Sequence, residues 1–539
     1  MMEESFYRDV NSYLEELFRF NPIWATQFGD HRFDSLMPDY SRERISDFLE
    51  RTKRWRSKYQ SLSFADPQVE VDREMMLALT TRIILDLEAA EVLTRDPSNY
   101  VDDAIYGPYL LLLYDFAPLE ERLYSARERL KLNPSLFQKG EENLKNPPRI
   151  WVKIAVETLK AGRNLLGSVI PSLASSYPSL KSEVEELSEQ ALLSSQEFIS
   201  YLESLLPSGR DDFALGKDLW DEYARRVHLL DYGSEEILEY GRELASKTEE
   251  EMRLLACTID PEKEMLKVLS RTGEDHPQAQ ELIPAYRNAV EEAKRFIQEK
   301  DIASIPEWET LEVMETPEFD RILTPYAAYL PPGPLSEKQQ GIFWVTPVDP
   351  ELPLDEQNKK LSSHSFSKIS LIAVHEAYPG HHLQIIWSNA SRSLPRKIGH
   401  FFSTLFVEGW AFYCEEMMEK QGFFEKPVVR LHRLADQLFR AYRIIIDVGL
   451  HAEGMSIEEG TRILTERVGL EESGALSEVW RYTQTPTQPM SYMIGKREIS
   501  NLREVYWRKT NDLSLKGFHD TILRNGSLPP SLQRKLIEG

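Results

Sequence analysis

Cysteine is nearly absent, with Cys257 and Cys414 the two in a chain of 539 residues. Two thiols cannot build a disulfide framework or a cysteine-ligated zinc site. Long apolar runs are missing too. The longest, Tyr109 to Tyr114, falls far short of the ~18 residues a membrane-spanning helix needs. A basic stripe is also lacking: the net charge is −24 and the pI about 5.1. Acidity of this order excludes nucleic acid and anionic membrane surfaces as expected partners. The N-terminal run MMEESFYRDVNSYLEELFRF has neither the basic start nor the apolar stretch of a secretory signal. A cytoplasmic protein is the expectation. No Gly-x-Ser-x-Gly elbow, phosphate loop or dinucleotide glycine fingerprint occurs. No histidine has glutamate three residues before it, which removes a di-iron carboxylate bundle.

The chain does contain helix after helix. Hydrophobic residues at 41% and charged residues at 28% are ordinary globular proportions, and this length calls for two packed lobes. Apolar residues recur at helical spacing from the start to about Asp301, as in Tyr13, Leu14, Leu17 and Phe18 and from Val71 to Val92. Breaks fall at Asp96-Pro97-Ser98-Asn99, Asn146-Pro147-Pro148 and Leu206-Pro207-Ser208-Gly209. Ser234 followed by Glu235 and Glu236 reads as a capped helix start. From Trp308 to Pro347 the texture changes. Thr310 to Thr316 alternates and Gly341 to Thr346 is rich in β-formers, with Tyr329 to Pro334 as a turn-rich connector. Helical spacing returns from about His364. The expected architecture is mainly α and two-lobed: a helical lobe over 1–301, then a catalytic lobe over 302–539 whose small sheet, within 302–350, lies beside an active-site helix. The two are expected to form one continuous fold around a cleft.

The chemistry is concentrated in His375-Glu-Ala-Tyr-Pro-Gly-His381-His382-Leu-Gln384. On a helix, H-E-x-x-H sets two imidazoles one turn apart to share a metal ion, with the glutamate facing a bound water. Here the fourth position after His375 is Pro379. In an unbroken helix His381 would sit on another face and His382 roughly 10.5 Å along the axis. Pro379 removes a helical hydrogen bond, and Gly380 tolerates unusual backbone angles. Extrusion of two residues would restore the spacing to His381; extrusion of three would restore it to His382. The smaller bulge is favoured, which leaves His382 supporting the site from behind. Downstream, Glu408 interrupts an apolar run and is followed by Gly409 and Ala411, small enough for that helix to approach the metal helix. Two histidines and a carboxylate with an open position form a catalytic zinc pattern. Glu415, one heptad on, is placed to orient a ligand histidine. Glu376 is the candidate general base.

The histidine run, together with Glu408-Gly-Trp-Ala411, Pro489-Met-Ser-Tyr492-Met-Ile-Gly495 and Trp24-Ala-Thr-Gln-Phe-Gly29, resembles the bacterial family called domain of unknown function 885. The resemblance spans most of the chain. It implies a distant relationship to helical zinc peptidases such as thimet oligopeptidase and the thermostable carboxypeptidases, in which a Gly-His pair closes the metal motif, as Gly380-His381 does here. What it implies is a metallopeptidase of carboxypeptidase or oligopeptidase type, with one zinc per chain, or cobalt or manganese in its place.

Tyr492 is the candidate oxyanion donor, with Tyr482 as competitor. Arg443, Asp447 and His451 share one helix face. They form either an interhelical salt-bridge network or, with Arg497, a substrate pocket in which an arginine holds a carboxylate bidentately. The strand from Gly341 to Thr346 could pair with an extended peptide. The expected partner is a peptide or small amide, with a homodimer as the assembly if there is one. Rival readings are a zinc hydrolase of a small non-peptide amide or ester, and a helical binding protein without catalysis.

Overall fold

The computed structural model describes residues 2–318, 321, 324 and 326–539. The chain is mainly α-helical with one small sheet, and it divides into two compact units. The first comprises 1–215 with 333–338; the second comprises 216–332 with 339–539. The division therefore lies well before the texture change near 301. The helices Lys217–Arg226, Ser234–Ile259 and Leu282–Glu299 belong to the same unit as the histidine motif, and their apolar faces give no hint of which partner buries them.

The first unit follows the sequence pattern closely. Helix Met2–Phe20 buries Phe6, Val10, Tyr13, Leu14, Leu17 and Phe18 along one stripe. Helix Pro22–Phe28 is capped by Asn21, whose side chain accepts from the Ile23 and Trp24 amides, and it ends at Gly29 with φ 87°. A Cβ on Gly29 would lie 2.4 Å from Ser336 Oγ, so this glycine answers both a left-handed cap and a close approach. The stretch Val71 to Val92 is not one helix. It consists of Pro67–Ile84, a widened turn at Leu85–Ala89, and a short helix from Val92.

In the second unit the sheet has the order β1-β3-β2, with β1 Thr310–Glu315 parallel to β3 Gln340–Val345 and β2 Ala327–Leu330 antiparallel to it. Two expectations are corrected here. Tyr329 and Leu330 belong to strand β2 rather than to a connector. The β-former-rich strand is the central one, paired along both edges, so it has no free edge to offer a peptide. The Ser234 helix is capped by Gly233, whose amide is accepted by Glu236, while the Ser234 amide is held by Asp221.

The core of the second unit joins the sheet to the motif. Phe343 and Val345 pack with Tyr286, Val374, Tyr378 and Trp410 in one buried cluster. Helix Leu405–Lys420 crosses helix Ser491–Thr510 at Gly409 and Gly495. A Cβ on Gly495 would lie 1.9 Å from the Leu405 carbonyl oxygen, and one on Gly409 would lie 2.3 Å from the Gly495 carbonyl carbon. Gly409 thus serves this crossing, not an approach to the metal helix as its sequence position suggested. Among the described residues no helix is long and apolar enough to cross a membrane. Gly495→Ala should therefore destabilise the chain by about 3 kcal/mol in urea unfolding, the upper range for forcing atoms into a packed interface. A change below about 0.5 kcal/mol would contradict the crossing.

Candidate metal centre

The motif folds as two helices and a break, rather than as one helix with an extruded bulge. Helix Phe366–Glu376, capped by Ser365, ends at Glu376, and helix His381–Asn389 begins after four intervening residues. The amides of Ala377 and Tyr378 both reach the Ala373 carbonyl, at 3.0 and 3.2 Å, and the Gly380 amide reaches Val374 at 3.0 Å. The Tyr378–Pro379 peptide is cis. The Pro379 carbonyl accepts from Trp410 Nε1 at 2.8 Å, which ties the break to the Glu408 helix. A Cβ on Gly380 would stand 1.8 Å from the His375 carbonyl oxygen, so no other residue fits.

This route brings His375, His381 and Glu408 together. One ligand atom from each lies within 4.8 Å of the others. His381 Nε2 is 3.5 Å from Glu408 Oε2, and His375 Nε2 is 4.0 Å from it. Ligands at the 2.0–2.1 Å typical of zinc, in a tetrahedron, stand roughly 3.3–3.5 Å apart, so His381 and Glu408 already have that spacing and His375 must draw in to fit. His375 Nδ1 meets Glu415 Oε1 at 2.7 Å, which leaves Nε2 as the nitrogen that faces Glu408. Glu415 is itself buried. His381 Nδ1 is buried without a protein partner among the described residues.

The charges reinforce this arrangement. Burial opposes a charged His375, but the hydrogen bond with Glu415 and the fields of Glu376, Glu415 and Glu408 outweigh it and raise its pKa to about 9. Burial alone would raise Glu408. Hydrogen bonds from His381 and Tyr492 and the charges of both histidines hold it at about 2 instead. An imidazole that retains a proton under three carboxylates marks a site whose potential favours a cation. Glu376 ends the same helix, half-buried, and makes no hydrogen bond among the described residues.

His382 faces the other way and is not one of the converging trio. It is fully buried, with Nε2 2.7 Å from Glu309 Oε2 and Nδ1 3.1 Å from the Tyr329 hydroxyl. Tyr378 donates to the same Glu309 oxygen at 2.8 Å, and Lys294 to the other at 2.7 Å. Burial works to raise Glu309, but these donors bring it down to about 2.

Tyr492 comes to the metal-centre side of its helix. Its ring is edge-on to Phe412, and its hydroxyl is among the groups that lower Glu408. Burial, then the Glu408 charge, raises the Tyr492 pKa, so the hydroxyl remains a donor. Tyr482 is excluded from that role because it is buried and donates to Glu478 at 2.6 Å.

The substrate-binding expectations fare differently. Arg443 donates to the Tyr482 hydroxyl at 2.8 Å and to Glu478 at 2.9 Å, and its guanidinium lies 4.9 Å from the centre of the Tyr492 ring. Its Nη1 is buried with no hydrogen-bond partner among the described residues. Arg497 sits over Tyr232 and Tyr240 and bonds Glu498. His451 is 1% exposed, with Nε2 on the Tyr482 carbonyl, so it cannot reach a substrate. Nor do Arg443, Asp447 and His451 bond one another; Asp447 accepts from the Thr487 amide at 3.1 Å and Trp220 Nε1 at 3.4 Å.

Sequence reasoning missed three neighbours. Glu309 has no local signal, since it lies just before β1. Tyr286, whose phenol feels the Glu376 charge and bonds His364 Nδ1 at 2.9 Å, reads as an ordinary core position. Burial, then the charge of His381, pushes His400 down to about 4; as a histidine just ahead of the Glu408 helix, it was the one with a usable signal.

The family model described as "Bacterial protein of unknown function (DUF885)" matches residues 22–537. No curated protein matches the chain. Among solved structures, a Shewanella oneidensis protein described as a "putative lipoprotein of unknown function" is similar at 22% identity, with a TM-score of 0.83 over 98% of this chain and 99% of that one. A Colwellia psychrerythraea "putative lipoprotein" is similar at 20% identity, with a TM-score of 0.83 over 98% of each chain. Identities this low carry the fold alone.

The two shifted groups set a pH dependence. His375 is raised from 6.5 to about 9, so in metal-free protein its stabilising contribution is complete below pH 6.5 and is lost as pH rises through about 9. Glu408 is depressed from 4.5 to about 2, so its contribution is present above 4.5 and is lost as pH falls through about 2. Urea unfolding of metal-free chain should therefore show a decline from about pH 6.5 to 9. A flat profile there would remove the charged His375.

Proposed function

We propose that the chain, which belongs to the DUF885 family, is a zinc-dependent metallohydrolase that acts on peptides, with His375, His381 and Glu408 as metal ligands and Glu376 as general base. The observation that carries this reading is the convergence of three ligand atoms from separate elements within 4.8 Å, with Glu415 on the far nitrogen of His375. The donor set, two imidazoles and one carboxylate, is that of catalytic zinc sites with an open position. It also suits cobalt or manganese.

A zinc ion held there supplies Lewis acidity, which acidifies water and polarises a carbonyl. The remaining work falls to the protein. Glu376 takes a proton from the attacking water and returns it to the departing amine nitrogen. Glu415 fixes the tautomer and plane of His375. Tyr492, kept protonated, donates to the oxygen that gains negative charge as the carbonyl carbon becomes tetrahedral. Gln488 Nε2 lies 3.3 Å from the Tyr492 hydroxyl and steadies it. With Arg443 and Arg497 engaged internally, the choice between carboxypeptidase and oligopeptidase action rests on product analysis. A cytoplasmic setting belongs to the same proposal. The two structural neighbours are described as lipoproteins, and cell fractionation decides which address this chain has.

Metal analysis of purified protein should find one zinc per chain in wild type and in Glu376→Gln, and none in His375→Ala. Glu376→Gln should lose turnover by about 10²–10⁴-fold on a peptide library. Retained turnover would eliminate Glu376 as the base. Cleavage confined to small amides or esters would redirect the assignment to a non-peptide hydrolase, and no cleavage of either class would leave a binding protein. Tyr492→Phe should lower kcat by about 10²-fold with KM little changed. Loss through KM alone would assign Tyr492 to binding.

A further inference from the structure

We propose that Glu309 is a positioning residue for the metal centre: by holding Tyr378 and His382 on either side of Pro379-Gly380, it sets the direction in which His381 projects and hence the affinity of the site for zinc. The inference deepens the reading above and rests on it.

The motif presents two adjacent histidines, and either one could in principle turn towards Glu408. Neighbouring residues on a helix point about 100° apart, so fixing one fixes the other. Glu309 does the fixing. One of its oxygens, Oε2, receives both the Tyr378 hydroxyl at 2.8 Å and His382 Nε2 at 2.7 Å. The other, Oε1, takes Lys294 Nζ at 2.7 Å. The second nitrogen of His382 lies 3.1 Å from the Tyr329 hydroxyl on β2. Room for the ring comes from Gly341 on β3, where a Cβ would lie 2.5 Å from His382 Nδ1. A helix and all three strands or their flanks thus enclose one imidazole that makes no bond to the metal trio.

The amides of Ala377, Tyr378 and Gly380 tie the break to the helix before it, so what remains to be fixed is the turn of the helix that follows, and Glu309 supplies an anchor there through His382. Tyr378 lies within it and His382 just after it, and a single carboxylate oxygen draws the two together. Glu309 itself touches none of His375, His381 and Glu408, so it acts through the backbone between its two anchors. A merely structural ion pair would influence stability and leave metal affinity alone. A positioning role changes affinity within the folded population.

The test uses the full chain, stripped of metal. Zinc affinity is measured by competition with a chromogenic chelator, and the cobalt(II) absorption spectrum reports ligand geometry. Urea unfolding of the metal-free form runs in parallel. Glu309→Gln should weaken zinc by about 10–100-fold, the range seen when groups that orient ligands are lost, and should alter the cobalt bands. Tyr378→Phe removes one anchor without exposing a buried charge and should weaken zinc about 3–10-fold. Wild-type affinity with an unchanged cobalt spectrum in folded Glu309→Gln overturns the inference. If that variant does not fold, Tyr378→Phe decides by the same criterion. Zinc binding by wild type that His375→Ala abolishes but these two variants leave intact sinks the inference alone. Absence of zinc binding by wild type sinks both it and the metal assignment.

Discussion

A chain that stops one helix at His375-Glu376 and starts another at His381 must interrupt and restart its hydrogen-bonding ladder within four residues, and the rest of the centre depends on that break. The backbone passes so close to itself that even a methyl group on Gly380 would overlap the His375 carbonyl oxygen. Proline contributes by withholding an amide, and Trp410 then takes up the Pro379 carbonyl that no helix satisfies. Because Trp410 lies two residues beyond Glu408, that one hydrogen bond also sets the depth at which the Glu408 carboxylate meets the two imidazoles. The break and the Glu408 helix therefore form one unit of geometry.

Electrostatics and packing oppose each other at this point. Burying His375 disfavours its charge, and burying Glu408 and Glu415 disfavours theirs. The arrangement is tolerable because each carboxylate has an imidazole beside it and each imidazole a carboxylate. The proton on His375 is the cheapest cation available to metal-free protein. A divalent ion would displace it and neutralise more of the same field, so metal affinity and the His375 pKa draw on one store of negative potential. The network behind the motif repeats the theme with a fixed cation. Glu309 is balanced by Lys294, which needs no metal and holds its geometry whether or not the front of the motif is loaded.

The convergence of His375, His381 and Glu408 was legible in the sequence because a proline-glycine pair inside an apolar helix has no structural motive of its own, and an acid within an apolar run needs a partner. The choice of His381 over His382 followed from the smallness of helix irregularities, although the chain uses a full break where a bulge was expected. Non-local information was not legible. Gly409 announces a close helix crossing but not its partner, which is Gly495 more than eighty residues on. The composition of β3 shows a strand but not that strands pair on both its sides. Glu309 sits in the unremarkable run Trp308-Glu309-Thr310, and only the pairing of β1 with β3 brings it to the motif. The division near 215 was not legible for a related reason: helical spacing between 217 and 299 shows which face is buried but not what buries it.

Arg443 shows how burial decides between structure and recognition. Its side chain is 7% exposed, and a guanidinium at that depth needs acceptors in every state of the protein. Nε and Nη2 find theirs in the Tyr482 hydroxyl and Glu478, while Nη1 is buried without one among the described residues. Arg481 shares Glu478, so the carboxylate is held between two cations and neither is free to leave without unbalancing the other. Position along a helix could show that Arg443 shares a face with Asp447 and His451. It could not show that the charge had already been matched by an acid on a different helix. The consequence for Tyr492 is mechanical. Its ring rests against a guanidinium fixed by two hydrogen bonds, which holds the phenol rigid on the side away from Glu408 and leaves the hydroxyl as its one adjustable part.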